Sequence, residues 1–248
     1  MKFLLSVTLL ASTLLSNVNA ARWKPKPGLT WDYLLGGNKN TIQESDKDVV
    51  TFDLEYAEKM VPILHSKGQK AVCYFSGGDG WGNKWLDVKQ KSKLQPLIRK
   101  RFQRAYKYGC DAVEVDCLGI HRYHPEKFTK DDTFTFGKWV AETAHEENIS
   151  VGLKNVATIS EKLEPYFDFA VVESCADDHN LCEHYTKFTK NNKAVFIVHY
   201  EDEGYKLSGS KLKTLIKEQS NRGFTCVMSV LNLKSHSTNY DCNTGSII

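Results

Sequence analysis

AVEVDCLGIHRYHPEKFTKDDTFTFGKWVAETAHEENISVGLKN (residues 112–155) reads as one strand, one helix and a second strand. Its opening run, AVEVDCLG (112–119), is short, apolar and rich in β-branched residues, the signature of a strand buried on both faces. Residues 134–147 then carry apolar side chains at helical spacing and stop at Asn148, a residue that ends helices. SVGLKN (150–155) is again strand-like. Strands joined through a helix lie parallel, because a parallel pair needs a long crossover.

The same alternation runs through the rest of the chain. Strand-like runs fall at 30–36, 49–55, 70–78, 169–175, 193–200 and 224–232, besides the two above. Amphipathic helical segments fall at 56–66, 94–108, 160–166, 179–190 and 211–219. Eight strands with intervening helices predict an α/β (β/α)₈ TIM barrel, and nothing between residues 31 and 233 resembles a linker, so a single domain is expected. The competing doubly wound sheet would carry a Gly-rich phosphate loop after its first strand, and no such loop is present.

In a barrel the working groups stand at the carboxyl ends of the strands. Two acids occupy such positions: Asp116 in VEVDC and Glu173 in FAVVESC. Period-two alternation puts Glu114 on the same side of its strand as Asp116, one layer deeper in the barrel, where Lys154 on the next strand is its expected partner. Glu114 is therefore read as structural support. A pair of carboxyl groups across a barrel mouth is the usual apparatus of glycoside hydrolysis. Trp31, Tyr74, Trp81, Trp85, Tyr123 and Tyr200 are candidates for stacking on sugar faces, whereas Trp139, mid-helix, is expected in the core.

The chain ends bear on where this chemistry operates. Lys2, the apolar stretch 3–15 and Val18-Asn19-Ala20 together read as a cleaved signal peptide over 1–20, with the mature domain at 21–248. The stretch is shorter than the roughly 18 apolar residues of a membrane span, so secretion without a membrane anchor is expected. In an oxidising compartment most of the seven cysteines should pair. Spacing suggests Cys73 with Cys110, Cys175 with Cys182 and Cys226 with Cys242, leaving Cys117. The formal charge of +3 is too small to argue for nucleic acid, and the basic stretch 91–104 is read as a solvated helix face. Asn148-Ile149-Ser150 is a glycosylation sequon.

TWDYLLGG, VVTFDLE, KAVCYFSGG, KWLDV, YGCDAVEVDC, AHEENISVGLKN, FDFAVVESC with Cys182 downstream, and KAVFIVHYE, in that order, resemble glycoside hydrolase family 114, a TIM-barrel group of secreted endo-α-1,4-polygalactosaminidases and related proteins. The resemblance implies metal- and cofactor-free hydrolysis of an α-linked, galactosamine-containing polysaccharide; a monomer is the default for a secreted barrel hydrolase. It assigns Asp116 as nucleophile and Glu173 as general acid/base, an order that can be reversed. Asp53, Tyr74, Lys154, Asn155 and Tyr200 match positions that line the substrate cleft.

The chain departs from the family pattern at Cys117 and Gly119, in a shortened loop after SGGDG (76–80), and at His199, where a Glu precedes the strand Tyr. These positions are expected to contact sugar amines or hydroxyls, so a shifted α-galactoside substrate is one alternative. A barrel that binds carbohydrate without cleaving it is another. A third uses Asp116 with His121 and His124 around a metal, and exposed loop histidines are the commoner occurrence.

Overall fold

Parallel strands follow one another around a barrel in chain order, each hydrogen-bonded to the next. The computed structural model describes residues 21–77 and 86–248; the leader reading, Trp81, Trp85 and most of the shortened loop lie outside them. The strands are β1 (Trp31–Tyr33), β2 (Val49–Asp53), β3 (Lys70–Ser76), β4 (Ala112–Asp116), β5 (Ser150–Lys154), β6 (Phe169–Glu173), β7 (Val195–Tyr200) and β8 (Thr225–Ser229). The helices are α1 (Lys39–Glu44), α2 (Ala57–Ser66), α3 (Lys91–Lys107), α4 (Lys130–Glu146), α5 (Ala157–Leu163), α6 (Thr186–Lys190) and α7 (Gly209–Gln219). The TIM-barrel reading therefore holds, with three local differences.

A ninth strand, β9 (Thr238–Tyr240), runs antiparallel to β8 at the seam of the barrel. Its sequence, TNY, has no apolar alternation to announce it. Side chains join it to β1 instead of a backbone ladder: the Asn239 amide accepts from Trp31 N at 2.9 Å and donates to Trp31 O at 2.8 Å. Ser237 Oγ accepts from Tyr33 N at 3.2 Å, which satisfies an edge strand's backbone without a partner strand. The expected helix at 179–190 begins as turns and one 3₁₀ segment (Cys182–Tyr185), and only its end, α6, is α-helical. Helix α1 is also new; Asn38 caps it by accepting from Asn40 N and Thr41 N, and its one buried residue, Ile42, leaves no periodicity to read.

All three expected disulfides are present, Cys73–Cys110, Cys175–Cys182 and Cys226–Cys242, and Cys117 lies outside them. The first closes a 37-residue loop, and a loop of that length is worth ~4 kcal/mol in the chain-entropy account. Such bridges belong to an oxidising compartment. Among the described residues no helix is long and apolar enough to cross a membrane.

Two apolar layers hold the barrel. One lies between strands and helices and includes Phe52, Phe102, Phe136, Trp139 and Phe188. The other fills the barrel itself with Trp31, Val49, Val72, Phe169, Phe196 and Val227. Trp31 is thus core: it is fully buried and its indole N–H donates to Thr51 Oγ1 at 2.9 Å, so it does not stack on sugar as its position suggested. The cause is that it begins β1, and strand beginnings lie at the closed end of the barrel.

Gly152 of β5 stands opposite Glu114 of β4, and the Phe169 ring occupies the space a side chain would take. A Cβ there would meet the ring at 2.4 Å. Gly152→Ala should therefore overpack the barrel beneath the functional residues and cost roughly 1–3 kcal/mol. Urea denaturation reads this directly; an unchanged midpoint would mean that Phe169 can turn away without loss.

Candidate active site

Four strand ends bring the sequence-predicted acids together. Asp116 ends β4, Lys154 ends β5, Glu173 ends β6 and Tyr200 ends β7. The Lys154 ammonium sits among three carboxylates, 3.3 Å from Glu114, 3.5 Å from Asp116 and 3.2 Å from Glu173. Glu114 and Lys154 are almost wholly buried, while Asp116 and Glu173 keep 22% and 31% of their side chains open to the cleft. The two open acids can meet a ligand; the two buried groups hold them.

Each open acid is fixed by further donors. Asp116 accepts from Tyr74 OH at 3.0 Å and from the Cys117 backbone N–H at 2.7 Å. Glu173 accepts from Tyr200 OH at 2.6 Å and from Asn155 Nδ2 at 3.1 Å, and its own N–H donates back to Asn155 Oδ1 at 2.9 Å. Tyr74 and Tyr200, expected to stack on sugars, instead turn their hydroxyls onto the acids. Tyr123 differs: it is 62% exposed and lines the cleft, as a stacking residue would.

The backbone is strained where these groups are presented. Cys117, Asn155, Val156 and Ser174 all take positive φ, between 49° and 61°, immediately after Asp116, Lys154 and Glu173. For Val156, β-branched, this is a costly conformation, of order 1–3 kcal/mol. Burial of its side chain among the core residues holds it there.

Electrostatics separate the acids. Burial would raise the Glu173 pKa, but the Lys154 charge and the bonds from Tyr200 and Asn155 outweigh it and hold the carboxyl below its ordinary value. For Glu114 burial wins over Lys154, and its pKa is pushed up to about 7. Burial also pulls on Lys154, yet Tyr33, Glu173, Glu114 and Asp116 keep it well above the ordinary amine range, so it remains a cation. Tyr33 was not singled out from the sequence. Its hydroxyl donates to Glu114 Oε1 at 2.8 Å and accepts from Lys154 Nζ at 2.9 Å. The signal was the alternation of WDY in β1, which points Tyr33 inward.

Among the described residues, three basins lie over these strand ends. One of about 260 Å³ lies over Asp116, Lys154 and Glu173, beside Arg122 and Tyr123. A second of about 390 Å³ continues from Glu173 past Tyr200 to Asp177, Asp178 and Glu203. The third, about 800 Å³, lies over the ends of β2 and β3 and contains Asp53, Tyr74, Glu55, Arg101 and Arg104. Asp53 lines this basin while its carboxylate caps Glu55 N at 2.8 Å. The expected cleft residues thus line these basins: Lys154 and Asn155 the first, Tyr200 the second, Asp53 and Tyr74 the third.

One other expectation is corrected. His199 faces away from the groove: it is fully buried between β7 and α7, accepts from Ala176 N and pairs with Gln219. Burial lowers its pKa to about 3, so it is a neutral packing residue that meets no sugar. The alternation of β7 explains this, since Tyr200 turns inward and its neighbour must turn out. His121 and His124 bond Thr133 and Glu126 separately, and among the described residues no group of metal-ligating side chains converges. Cys117 and Gly119, by contrast, do line the central basin.

The family model of glycoside hydrolase family GH114 matches residues 12–245. Among solved structures, Ega3 of Aspergillus fumigatus, determined in complex with galactosamine, is similar at a TM-score of 0.76 and 25% identity, over 89% of this chain and 98% of that one. The glycoside hydrolase domain of PelA from Pseudomonas aeruginosa shares the fold at a TM-score of 0.64 and 13% identity, over 85% and 98% of the two chains. A GH18 chitinase from Pseudoalteromonas aurantia shares it at 0.55 and 14%, over 82% and 94%. No curated protein matches the sequence.

Proposed function

The chain belongs to glycoside hydrolase family GH114, and from that premise we propose that it is a secreted endo-acting hydrolase of α-linked, galactosamine-containing polysaccharide, using Asp116 as nucleophile and Glu173 as general acid/base. The observation that carries this reading is the sharing of Lys154 by Asp116 and Glu173 at the floor of an open groove. The two oxygens that share it stand at most about 7 Å apart by these distances, a bound that admits the about 5 Å of a retaining pair and falls short of most inverting ones. The solved Ega3 complex with galactosamine supports an amino sugar as the ligand. Basins on both sides of the acid pair support action within a chain.

In this mechanism Asp116, held by Tyr74 and the Cys117 N–H, attacks the anomeric carbon while a proton on Glu173 passes to the leaving oxygen. Water then releases the sugar, with Glu173 as base. Lys154, Tyr200 and Asn155 hold the Glu173 carboxyl below its ordinary pKa, so its role as an acid requires that hold to weaken when a sugar binds. A sugar that displaces water and weakens the hold of Lys154 raises its pKa in the required direction.

The test is release of soluble oligosaccharide from galactosaminogalactan and from deacetylated polygalactosamine by the mature protein. Products of several lengths early in the reaction would support endo action. Release only from an acetylated or neutral α-galactan would move the substrate and keep the chemistry. No release by folded protein from any of these would overturn the reading.

A further inference from the structure

Taking Asp116 and Glu173 as the reacting acids, as proposed above, the geometry points to Glu114 and Tyr33 as positioning residues that work through Lys154 and decide how much of its charge reaches the acid pair. Neither residue lines the groove basins, so neither meets substrate.

Four facts carry this. Lys154 is a single cation serving three carboxylates, two above it at the mouth and Glu114 in the layer below. Tyr33 OH joins the buried pair, accepting from Lys154 and donating to Glu114 Oε1. Glu114 Oε2 is buried and has no hydrogen-bond partner among the described residues. An ionised carboxylate oxygen left in that state is costly, whereas a neutral carboxyl tolerates it better. Finally, the groups facing Glu114 are Tyr33 from β1, Tyr74 from β3, Asp116 on its own strand, Lys154 from β5, Glu173 from β6 and Tyr200 from β7. Only one of these six is a cation.

The consequence is a two-state support. With Glu114 neutral, the Lys154 charge serves Asp116 and Glu173. Once Glu114 ionises, it competes for the ammonium from below and adds an uncompensated negative charge beneath the mouth. The acid pair then loses part of its counter-charge and its fixed geometry. Burial places this change near neutrality, since the Glu114 pKa is raised to about 7.

The experiment compares pH profiles of kcat and KM for the wild type, Glu114→Gln and Tyr33→Phe, together with the infrared carboxyl band of each. In the wild type kcat should fall about tenfold to a lower plateau as pH passes neutrality, because a displaced support slows a reaction without removing a reacting group. KM should hardly move. Glu114→Gln should lack the step and the titrating carboxyl band. Tyr33→Phe should shift both to higher pH, because the bond Tyr33 donates favours the ionised form of Glu114.

A step of the same size and midpoint in Glu114→Gln, or no step in an active wild type, overturns the proposal. Should Glu114→Gln fail to fold, the shift in Tyr33→Phe decides alone. If folded wild type turns over no substrate, the functional reading falls, and the infrared titration still decides whether Glu114 holds the proton: a titrating band near neutrality that Glu114→Gln lacks upholds it, and its absence overturns it.

Discussion

Asp116→Asn and Glu173→Gln should each lower kcat by ~10³-fold or more while leaving a folded barrel. Both replacements keep the shape of the side chain and an oxygen for Tyr74 or Tyr200 to bond, so the supporting contacts survive. What each removes is chemistry: an amide neither attacks an anomeric carbon nor shuttles a proton. The roles separate with the leaving group. A substrate carrying an acidic phenol needs no protonation to depart, so it should restore the first step in the variant that lacks the general acid and not in the one that lacks the nucleophile. Restoration in Glu173→Gln supports the assignment made here, and restoration in Asp116→Asn reverses it. Near-normal activity in either variant would remove that residue from the reacting pair.

Lys154→Met should have the largest effect on stability, a loss of about 3–5 kcal/mol near neutral pH, because it leaves the buried Glu114 and the partly buried Glu173 without their cation. The pH dependence gives the sign. Glu173 is held below its ordinary pKa by Lys154 after burial is overcome, so the stability it contributes is present above the ordinary carboxylate range and is lost as pH falls through its folded pKa. Glu114 is raised to about 7, so its contribution is present at acid pH and is lost as pH rises through that value. Without Lys154 both acids titrate higher, and the penalty should shrink at low pH, where they are protonated. Denaturant melts of wild type and Lys154→Met at acid and neutral pH check this. Equal stability at neutral pH would mean that Lys154 is not the counterion of the cluster.

The acids, the lysine between them and their strand positions were legible because burial leaves few readings for a polar residue in an apolar run. Asp116 and Glu173 each follow three or four apolar residues, and the end of a parallel strand is where such a group can reach water. Lys154 was legible as a partner for Glu114 because alternation placed both inward on neighbouring strands. Alternation also could have turned His199 outward and Tyr33 inward. Those two were misplaced or missed because position in a motif was read ahead of side-chain direction. The aromatic residues were harder: Trp31, Tyr74, Tyr200 and Tyr123 look alike in sequence, yet one is core, two are donors to the acids and one faces the groove.

Local pattern was enough for the barrel, its strand order and the identity of the two exposed acids, since hydrophobic period and crossover length are properties of neighbouring residues along a chain; spacing suggested the disulfide pairs, and only the fold decided them. The sharing of one ammonium by three carboxylates, the Tyr33 bridge and the raised pKa of Glu114 came from folding alone. They depend on distances between β1, β4, β5 and β6 and on how fully water is excluded, and charge interactions in such a space change with ångströms and with burial that no single strand records.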